Sequence, residues 1–263
     1  MSSHFETTPP EAPGNSWALS VPAPYILLVT ITRAKQMNSI PFATHWGLHK
    51  LFEWFDKEPT LRVAVITGEG KKAFCAGQDL IELGQRAGGS SSNASGQHAE
   101  DLKLLANIKS TQGHPPSGFA GISRRTGKKP IVAAVNGFAL GGGFEIVLNC
   151  DMVVASPTAT FGLPEALRGI YAGAGGLPRL LRNTSLPIAN EIALTGRFLT
   201  AQEALQFQLI NKISKTPESV VDEAVALASK CAAISPDAII VSRNAIREAW
   251  ETASVERAYQ IIG

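Results

Sequence analysis

IVAAVNGFALGGGFEIVLNCD, residues 131–151, is the stretch that decides the fold. It begins as a short β-branched and alanine run, typical of a buried strand, and breaks at Asn136-Gly137. Gly141, Gly142 and Gly143 then lead into a helix-length apolar segment that carries one carboxylate, Glu145. Because glycine costs about 1 kcal/mol relative to alanine inside a helix, the run suits a turn where backbone N–H groups stay bare and a ligand approaches. A helix beginning at Gly142 would place an unpaired N–H and Glu145 on one face, so the stretch allows either a reaction centre or a glycine-rich turn with a surface glutamate.

The residues around this stretch alternate between strand and helix patterns. Strands are predicted at residues 25–32, 61–67, 152–155 and 159–162, and a helix after Pro41 with apolar residues at 48, 51, 52 and 55. A second glycine cluster, residues 173–176, opens a helix at 177–182. Further helices are predicted at 187–195, 200–207, 218–233 and 236–259, and Thr200 with Glu203 has capping-box spacing. The pattern predicts an α/β core followed by helices.

The remaining segments define the predicted domain limits. We expect a flexible N-terminal tail at residues 1–16, a core at 17–200 and a C-terminal helical region at 201–263. Residues 87–97 are low-complexity and predicted to be flexible, residues 100–109 a short helix, and residues 111–129 irregular. The last segment carries a basic cluster that reads either as a phosphate site or as a solvated face: Arg124, Arg125, Lys128 and Lys129.

Composition excludes several classes of protein. The net charge of +2 is too small to indicate a nucleic-acid or membrane partner, and no apolar run reaches the roughly 18 residues of a membrane span. The three cysteines, Cys75, Cys150 and Cys231, lack metal-ligand spacing and favour a reduced, intracellular protein. Secretory, mitochondrial and SKL-type peroxisomal signals are not recognisable, so the cytoplasm is predicted, with mitochondrial and peroxisomal locations left open.

Few groups are left to carry chemistry. His45 and His49 are four residues apart but lack a carboxylate partner in zincin spacing, so no metal site is predicted. The motifs of α/β-hydrolases, P-loop NTPases and dinucleotide-binding dehydrogenases are missing. What remains is two glycine-framed turns with Glu145 and Glu165 in apolar surroundings. These residues are either exposed glutamates or an acid–base pair beside an oxyanion site.

Four motifs in order give the chain a family resemblance. They are residues 33–39 (RAKQMNS), 73–80 (AFCAGQDL), 136–145 (NGFALGGGFE), and 161–165 (FGLPE) continuing to 173–176. Together they resemble the enoyl-CoA hydratase/isomerase (crotonase) superfamily over residues 25 to 260, and they look closest to hydratases and carnitinyl-CoA-dehydratase-like members. The resemblance implies the crotonase (ClpP-like) fold, a repeated ββα superhelix with a helical C-terminal region.

The resemblance also implies site residues. The family's oxyanion hole maps to the backbone N–H groups of Gln78 and Gly142, each such donor being worth roughly 3–4 kcal/mol in the transition state. The identity of the Gln78 side chain is expected to matter less than its backbone geometry. Residues implied to contact acyl-CoA are Lys35, as a phosphate contact, with Met37, Ala76, Asp79 and Leu80.

Hydratases of this family place two glutamates on either side of a water molecule, and Glu145 and Glu165 occupy both positions. The resemblance therefore implies an enoyl-CoA hydratase of fatty acid metabolism, forming a homotrimer or hexamer and needing no cofactor, since coenzyme A is part of the substrate. Carnitinyl-CoA dehydratase-like and Δ3-Δ2-enoyl-CoA isomerase activities stay open. The family usually continues some 30 residues further, so part of the lid and of the CoA contacts is expected to be missing, which leaves a catalytically weak binding module as a third alternative.

Overall fold

The computed structural model describes residues 5–82, 113–254, 257 and 260. Within these residues the strands form a six-stranded and a four-stranded sheet. The strands are Trp17–Ala23 (β1), Ile26–Ile31 (β2), Val63–Gly68 (β3), Ala73–Cys75 (β4), Ile131–Val135 (β5), Phe138–Leu140 (β6), Met152–Ala155 (β7), Thr160–Gly162 (β8), Leu199–Thr200 (β9) and Lys212–Ile213 (β10).

The helices of the described part agree with the predicted ones to within about two residues at most ends. They are Phe42–Lys57 (α1), Gly142–Asn149 (α2), Gly176–Asn183 (α3), Leu186–Thr195 (α4), Ala201–Gln206 (α5), Val220–Ala232 (α6) and Pro236–Thr252 (α7). The capping box of Thr200 and Glu203 is confirmed. The prediction that α7 runs to residue 259 is wrong, because Ala253 takes a left-handed φ of 56° and ends the helix. The predicted helix at 100–109 and the flexible stretch at 87–97 lie outside the described residues.

The larger sheet has the order β1-β2-β3-β5-β7-β10, and the smaller one has the order β4-β6-β8-β9. In the larger sheet β1 pairs antiparallel with β2, and the neighbours from β2 to β10 are parallel. Both β3 and β5 are buried along their whole length, as expected for parallel strands covered on both faces. β1 was not predicted as a strand.

The chain passes repeatedly from the larger sheet to the smaller one and then into a helix. Residues 131–151 form one such unit, running through β5, β6 and α2, and β7 and β8 lead through a 3-10 turn, Pro164–Arg168, into α3. β3 and β4 make the same crossing earlier in the chain. This arrangement confirms the predicted crotonase fold with its repeated ββα units and helical C-terminal region.

The core has two parts, one on each face of the larger sheet. On one face, α6 packs its small residues Val220, Ala224, Ala228 and Ala232, spaced four apart, against apolar side chains of the strands. On the other face, the apolar face of α1 packs with α2 and the smaller sheet. In the described part of the chain, no single helix is long and apolar enough to span a membrane; α6 and α7 meet the requirement only together, and they are bent by 104° at the break between them.

Two members of the basic cluster are structural. Arg125 is buried and pairs with Asp56 at 2.5 Å, and the ammonium of Lys129 donates to the carbonyl groups of Phe55 and Glu58. Arg125 and Lys129 therefore belong neither to a phosphate site nor to a solvated face, and both predicted alternatives are wrong for these two residues. Arg124 and Lys128 are exposed. The domain limits at residues 16 and 200 stay predictions.

Candidate active site

The backbone N–H groups of Gln78 and Gly142 lie close together where the smaller sheet meets α2. Gly142 is the first residue of α2, and Gln78 follows Gly77, whose φ is 96°. Neither N–H donates a hydrogen bond to an acceptor in the described residues. A Cβ atom on Gly77 would lie 3.5 Å from the nitrogen of Gly142, so the turn after β4 runs directly beside the start of α2. These are the two donors that the family resemblance implies for an oxyanion hole.

Close packing explains the run of glycines. A Cβ atom on Gly143 would lie 2.0 Å from the carbonyl oxygen of Cys75, and one on Gly142 would lie 2.5 Å from the ring of Phe119. Gly141 has a φ of 54°, which L-residues rarely adopt. Glycine therefore lets the start of α2 approach the turn after β4.

Glu145 lies in the first turn of α2 and is 3% exposed. Its Oε1 accepts the N–H groups of Ala174 and Gly176 at 2.9 and 2.8 Å, so the second glycine cluster holds this carboxylate. Burial raises the pKa of Glu145, while the two N–H donors and the nearby Arg124 and Arg179 oppose that rise. The ionised form of Glu145 is thus buried, and these hydrogen bonds and positive charges stabilise it.

Glu165 lies in the 3-10 turn Pro164–Arg168 and faces the first glycine cluster. A Cβ atom on Gly141 would lie 3.0 Å from its Oε1. Its Oε2 is buried and has no hydrogen-bond partner in the described residues. Burial raises the pKa of Glu165 to about 7; its own backbone N–H opposes the shift, and the charge of Glu145 adds to it. Glu165 therefore holds a proton far more readily than an exposed glutamate does.

Together these groups can do acid–base chemistry at a polarised carbonyl. One carboxylate has two N–H donors and the other has a pKa near neutrality, which is the usual arrangement for a base and an acid working as a pair. Two bare N–H groups nearby can bind an oxygen on which negative charge develops.

The residues predicted to contact acyl-CoA surround the same turn. Lys35 is exposed on the 3-10 turn Ala34–Gln36. Met37 has a left-handed φ of 53°, and its carbonyl accepts the N–H of Ala76, while the side chain of Leu80 is 67% exposed. All four residues, Lys35, Met37, Ala76 and Leu80, therefore lie at or near the surface beside this turn. Their contacts with CoA stay predictions.

Asp79 is engaged within the protein. Its Oδ2 pairs with Arg33 at 2.7 Å, and its Oδ1 accepts the N–H groups of Ile81 and Glu82 at 3.1 and 3.2 Å. The carboxylate thus caps the helical turn that follows and connects it to the loop after β2. Its predicted contact with acyl-CoA is untested.

A cluster of histidine and phenylalanine side chains, which the sequence patterns did not predict, lies behind the two N–H donors. His45 is fully buried, hydrogen-bonds the side chain of Gln78 at 2.9 Å, and packs against His114 and Phe119 with ring centroids 4.7 and 4.4 Å apart. The Nε2 atom of His114 is buried without a hydrogen-bond partner in the described residues. One signal was present, since His45 precedes Leu48 and Phe52 at helical spacing and so lies on the apolar face of α1.

Known proteins resemble this chain along nearly its whole length. The family model for enoyl-CoA hydratase/isomerase matches residues 24–113 and 119–261. The mevalonyl-coenzyme A hydratase of Beauveria bassiana is 43% identical over 93% of this chain and 83% of its own, and the carnitinyl-CoA dehydratase of Proteus mirabilis is 36% identical over 90% and 82%.

Solved structures agree with the sequence relatives. A probable enoyl-CoA hydratase/isomerase of Mycobacterium abscessus superposes with a TM-score of 0.77 at 34% identity, covering 95% of this chain and 87% of that one. An enoyl-CoA hydratase of Bacillus anthracis gives 0.76 at 29% identity, covering 94% and 88%. The chain therefore belongs to the enoyl-CoA hydratase/isomerase (crotonase) superfamily and is an enzyme of its hydro-lyase type.

Proposed function

We propose that this enzyme adds water reversibly across the 2,3 double bond of an enoyl-CoA, with Glu145 and Glu165 as the acid–base pair. The backbone N–H groups of Gln78 and Gly142 bind the thioester oxygen. The observation that carries the proposal is the placement of one buried carboxylate, Glu145, and one half-buried carboxylate, Glu165, near two N–H groups that have no acceptor in the described residues. Hydration needs these groups together, because it forms an enolate-like oxyanion and moves two protons.

In the hydration direction, one proton moves from water to Glu145 and another moves from Glu165 to C2. The carboxylate of Glu145 takes a proton from water as the oxygen bonds to C3, and the double-bond electrons move onto the thioester oxygen. The electrons return as C2 takes the proton of Glu165, and the C2–H bond forms. Dehydration runs the same steps backwards, with Glu165 as the base and Glu145 as the acid. Each direction therefore starts with one proton on the pair.

We propose a substrate with a polar group beyond C3. Two relatives named for mevalonyl-CoA and carnitinyl-CoA support this, because both acyl groups carry such a group, a hydroxyl in one and a quaternary ammonium in the other. In this chain, the buried Nε2 of His114 without a partner in the described residues lies beside Phe119, whose ring packs on Gly142. A neutral imidazole there suits a hydroxyl, so we favour a mevalonyl-type acyl group over carnitinyl.

A substrate panel tests the proposal through the absorbance of the conjugated thioester. Crotonyl-CoA is expected to lose this absorbance on hydration, and mevalonyl-CoA is expected to gain it on dehydration with a higher kcat/KM than carnitinyl-CoA. His114→Phe is expected to lower kcat/KM for mevalonyl-CoA more than for crotonyl-CoA. If none of these substrates reacts while a 3-enoyl-CoA becomes conjugated, the protein is an isomerase and the proposal is wrong.

A further inference from the structure

We propose that His45 is a positioning residue that holds the two N–H donors of the oxyanion site in one fixed relation, through Gln78 on one side and Phe119 on the other. The inference rests on the proposed function, because the donors matter only if an oxyanion forms. It gives the Gln78 side chain a role that its backbone N–H alone would not have.

The first half of the connection runs from His45 to the Gln78 donor. The side-chain Oε1 of Gln78 lies 2.9 Å from Nε2 of His45, and its Nε2 donates to the carbonyl of Ile40 at 3.1 Å. The same Ile40 carbonyl accepts the N–H of Asp79, and the N–H of Ile40 donates to the carbonyl of Gly77. Hydrogen bonds therefore hold the side-chain amide of Gln78 and the backbone of its two neighbours, Gly77 and Asp79. The N–H of Gln78 itself stays available.

The second half runs from His45 to the Gly142 donor. The Nδ1 of His45 accepts the backbone N–H of Ala120 at 2.9 Å. Ala120 belongs to the 3-10 turn Phe119–Gly121, and the ring of Phe119 lies only 2.5 Å from the position that a Cβ atom on Gly142 would take. One imidazole thus connects the turn that carries Gln78 to the aromatic ring that packs on Gly142.

The hydrogen bonds fix the state of the ring. Because Nδ1 accepts from Ala120, the proton of a neutral imidazole is on Nε2, which donates to Oε1 of Gln78. Burial lowers the pKa of His45 to about 3, with the charge of His114 adding to the shift and the bond to Gln78 opposing it. The ring is therefore neutral at physiological pH, and both of its nitrogens are used in the connection.

His45 differs from an ordinary buried histidine because each of its two hydrogen bonds leads to one of the two N–H donors. A displacement of a catalytic group by about 1 Å can cost roughly 100-fold in rate, so a connection between two donors acts mainly on turnover. A purely structural histidine would instead act on stability, with kcat unchanged in the variants that still fold.

Two variants cut the connection at different points. His45→Asn keeps a carbonyl that can accept from Ala120 but cannot reach Gln78, and Gln78→Met keeps the backbone N–H and the length of the side chain but removes both of its hydrogen bonds. His45→Gln supplies a donor for Gln78 and is the rescue variant. His49→Gln is the matched control, because His49 lies one turn further along α1 and hydrogen-bonds Ser117 instead.

We would measure kcat and KM with the enoyl-CoA that the enzyme hydrates, the melting temperature, and the red shift of cinnamoyl-CoA on binding, which reports polarisation of the thioester carbonyl. We expect His45→Asn and Gln78→Met to lower kcat by about 10- to 100-fold at nearly constant KM and to reduce the red shift. His45→Gln should recover part of both, and His49→Gln should match the wild type. Unchanged kcat and red shift in a folded Gln78→Met would overturn the inference.

The same experiment separates the inference from the proposed function. If the wild type hydrates no enoyl-CoA, the proposed function fails, whereas the red shift still tests the positioning of the two donors. If His45→Asn does not fold, Gln78→Met decides the question, because its side chain is only partly buried.

Discussion

Oε1 of Glu145 accepts the N–H of Gly176 at 2.8 Å, which joins two glycine-rich stretches that lie 31 residues apart in the chain. The first stretch starts α2 and carries Glu145, and the second starts α3. A Cβ atom on Gly176 would lie 2.7 Å from Cγ of Glu145. The second glycine cluster therefore makes room for the carboxylate as well as binding it.

Gly176→Ala should lower activity by displacing this carboxylate. We expect kcat/KM to fall by about 10- to 100-fold, because a misplaced acid–base group loses most of its contribution. The matched control is Gly173→Ala in the same cluster, where the three atoms nearest to the Cβ atom belong to the ring of Tyr171, at 3.0 Å or more, and this residue is 62% exposed. Equal loss of activity in the two variants would contradict the proposed role of the contact between Gly176 and Glu145.

The pH dependence should show one proton shared by the pair. Both directions need one protonated and one ionised carboxyl group, so kcat/KM should follow the same bell-shaped curve for hydration and dehydration. It should fall above about pH 7, where Glu165 loses its proton, and fall again in acid, where Glu145 gains one. Rates measured from pH 4.5 to 9 test this, and a profile that is flat through pH 7 would count against the assignment.

Glu165→Gln should stabilise the folded protein at alkaline pH. The pKa of Glu165 is about 7 in the fold against 4.5 for the free side chain, so ionisation disfavours the fold as pH rises from 4.5 to 7. Glutamine does not ionise, and the melting temperature of the variant relative to wild type should therefore be higher at pH 8 than at pH 5. Glu11→Gln, at an exposed position, is the control and should show no such change.

Asp151→Asn should destabilise the junction between α2 and α7. Asp151 is bound by Arg243 and Arg247, both at 2.9 Å, and by the N–H of Ile131 at 2.8 Å. Although burial raises its pKa, these partners hold the pKa below its usual value, so the stabilisation is present above about pH 4 and is lost as pH falls further.

Removing this charge leaves Arg243 and Arg247 without their carboxylate partner, and breaking a largely buried pair typically costs about 3–5 kcal/mol. Urea unfolding at pH 7 should show a loss of this size for Asp151→Asn. The exposed Asp222→Asn is the control. A loss below about 1 kcal/mol would show that α7 is held by other contacts.

Much of the fold was predictable because the signals were local. The glycine run at 141–143 marks a close approach of backbones, and the structure has α2 starting at Gly142 as expected. β1 was missed because Pro22 interrupts its alternation of apolar residues; it is an edge strand, where proline is tolerated.

The contacts that could not be predicted join residues far apart in the chain. Arg125 pairs with Asp56, which lies 69 residues earlier in the chain, and His45 hydrogen-bonds Gln78, which lies 33 residues later. Neither pair has a spacing pattern, because tertiary packing alone brings them together. As a result, the structural roles of Arg125 and Lys129 and the contact between His45 and Gln78 were not predicted.

The central claim is that Glu145 and Glu165 act as one acid–base pair. It is tested most directly by kcat/KM for crotonyl-CoA hydration in Glu145→Gln, Glu165→Gln and the double variant, with folding checked by circular dichroism. We expect each single variant to lose about 10²- to 10⁴-fold and the double variant to lose little more than either one, because the two residues work in the same step. Turnover near the wild-type rate in either folded single variant would contradict the claim.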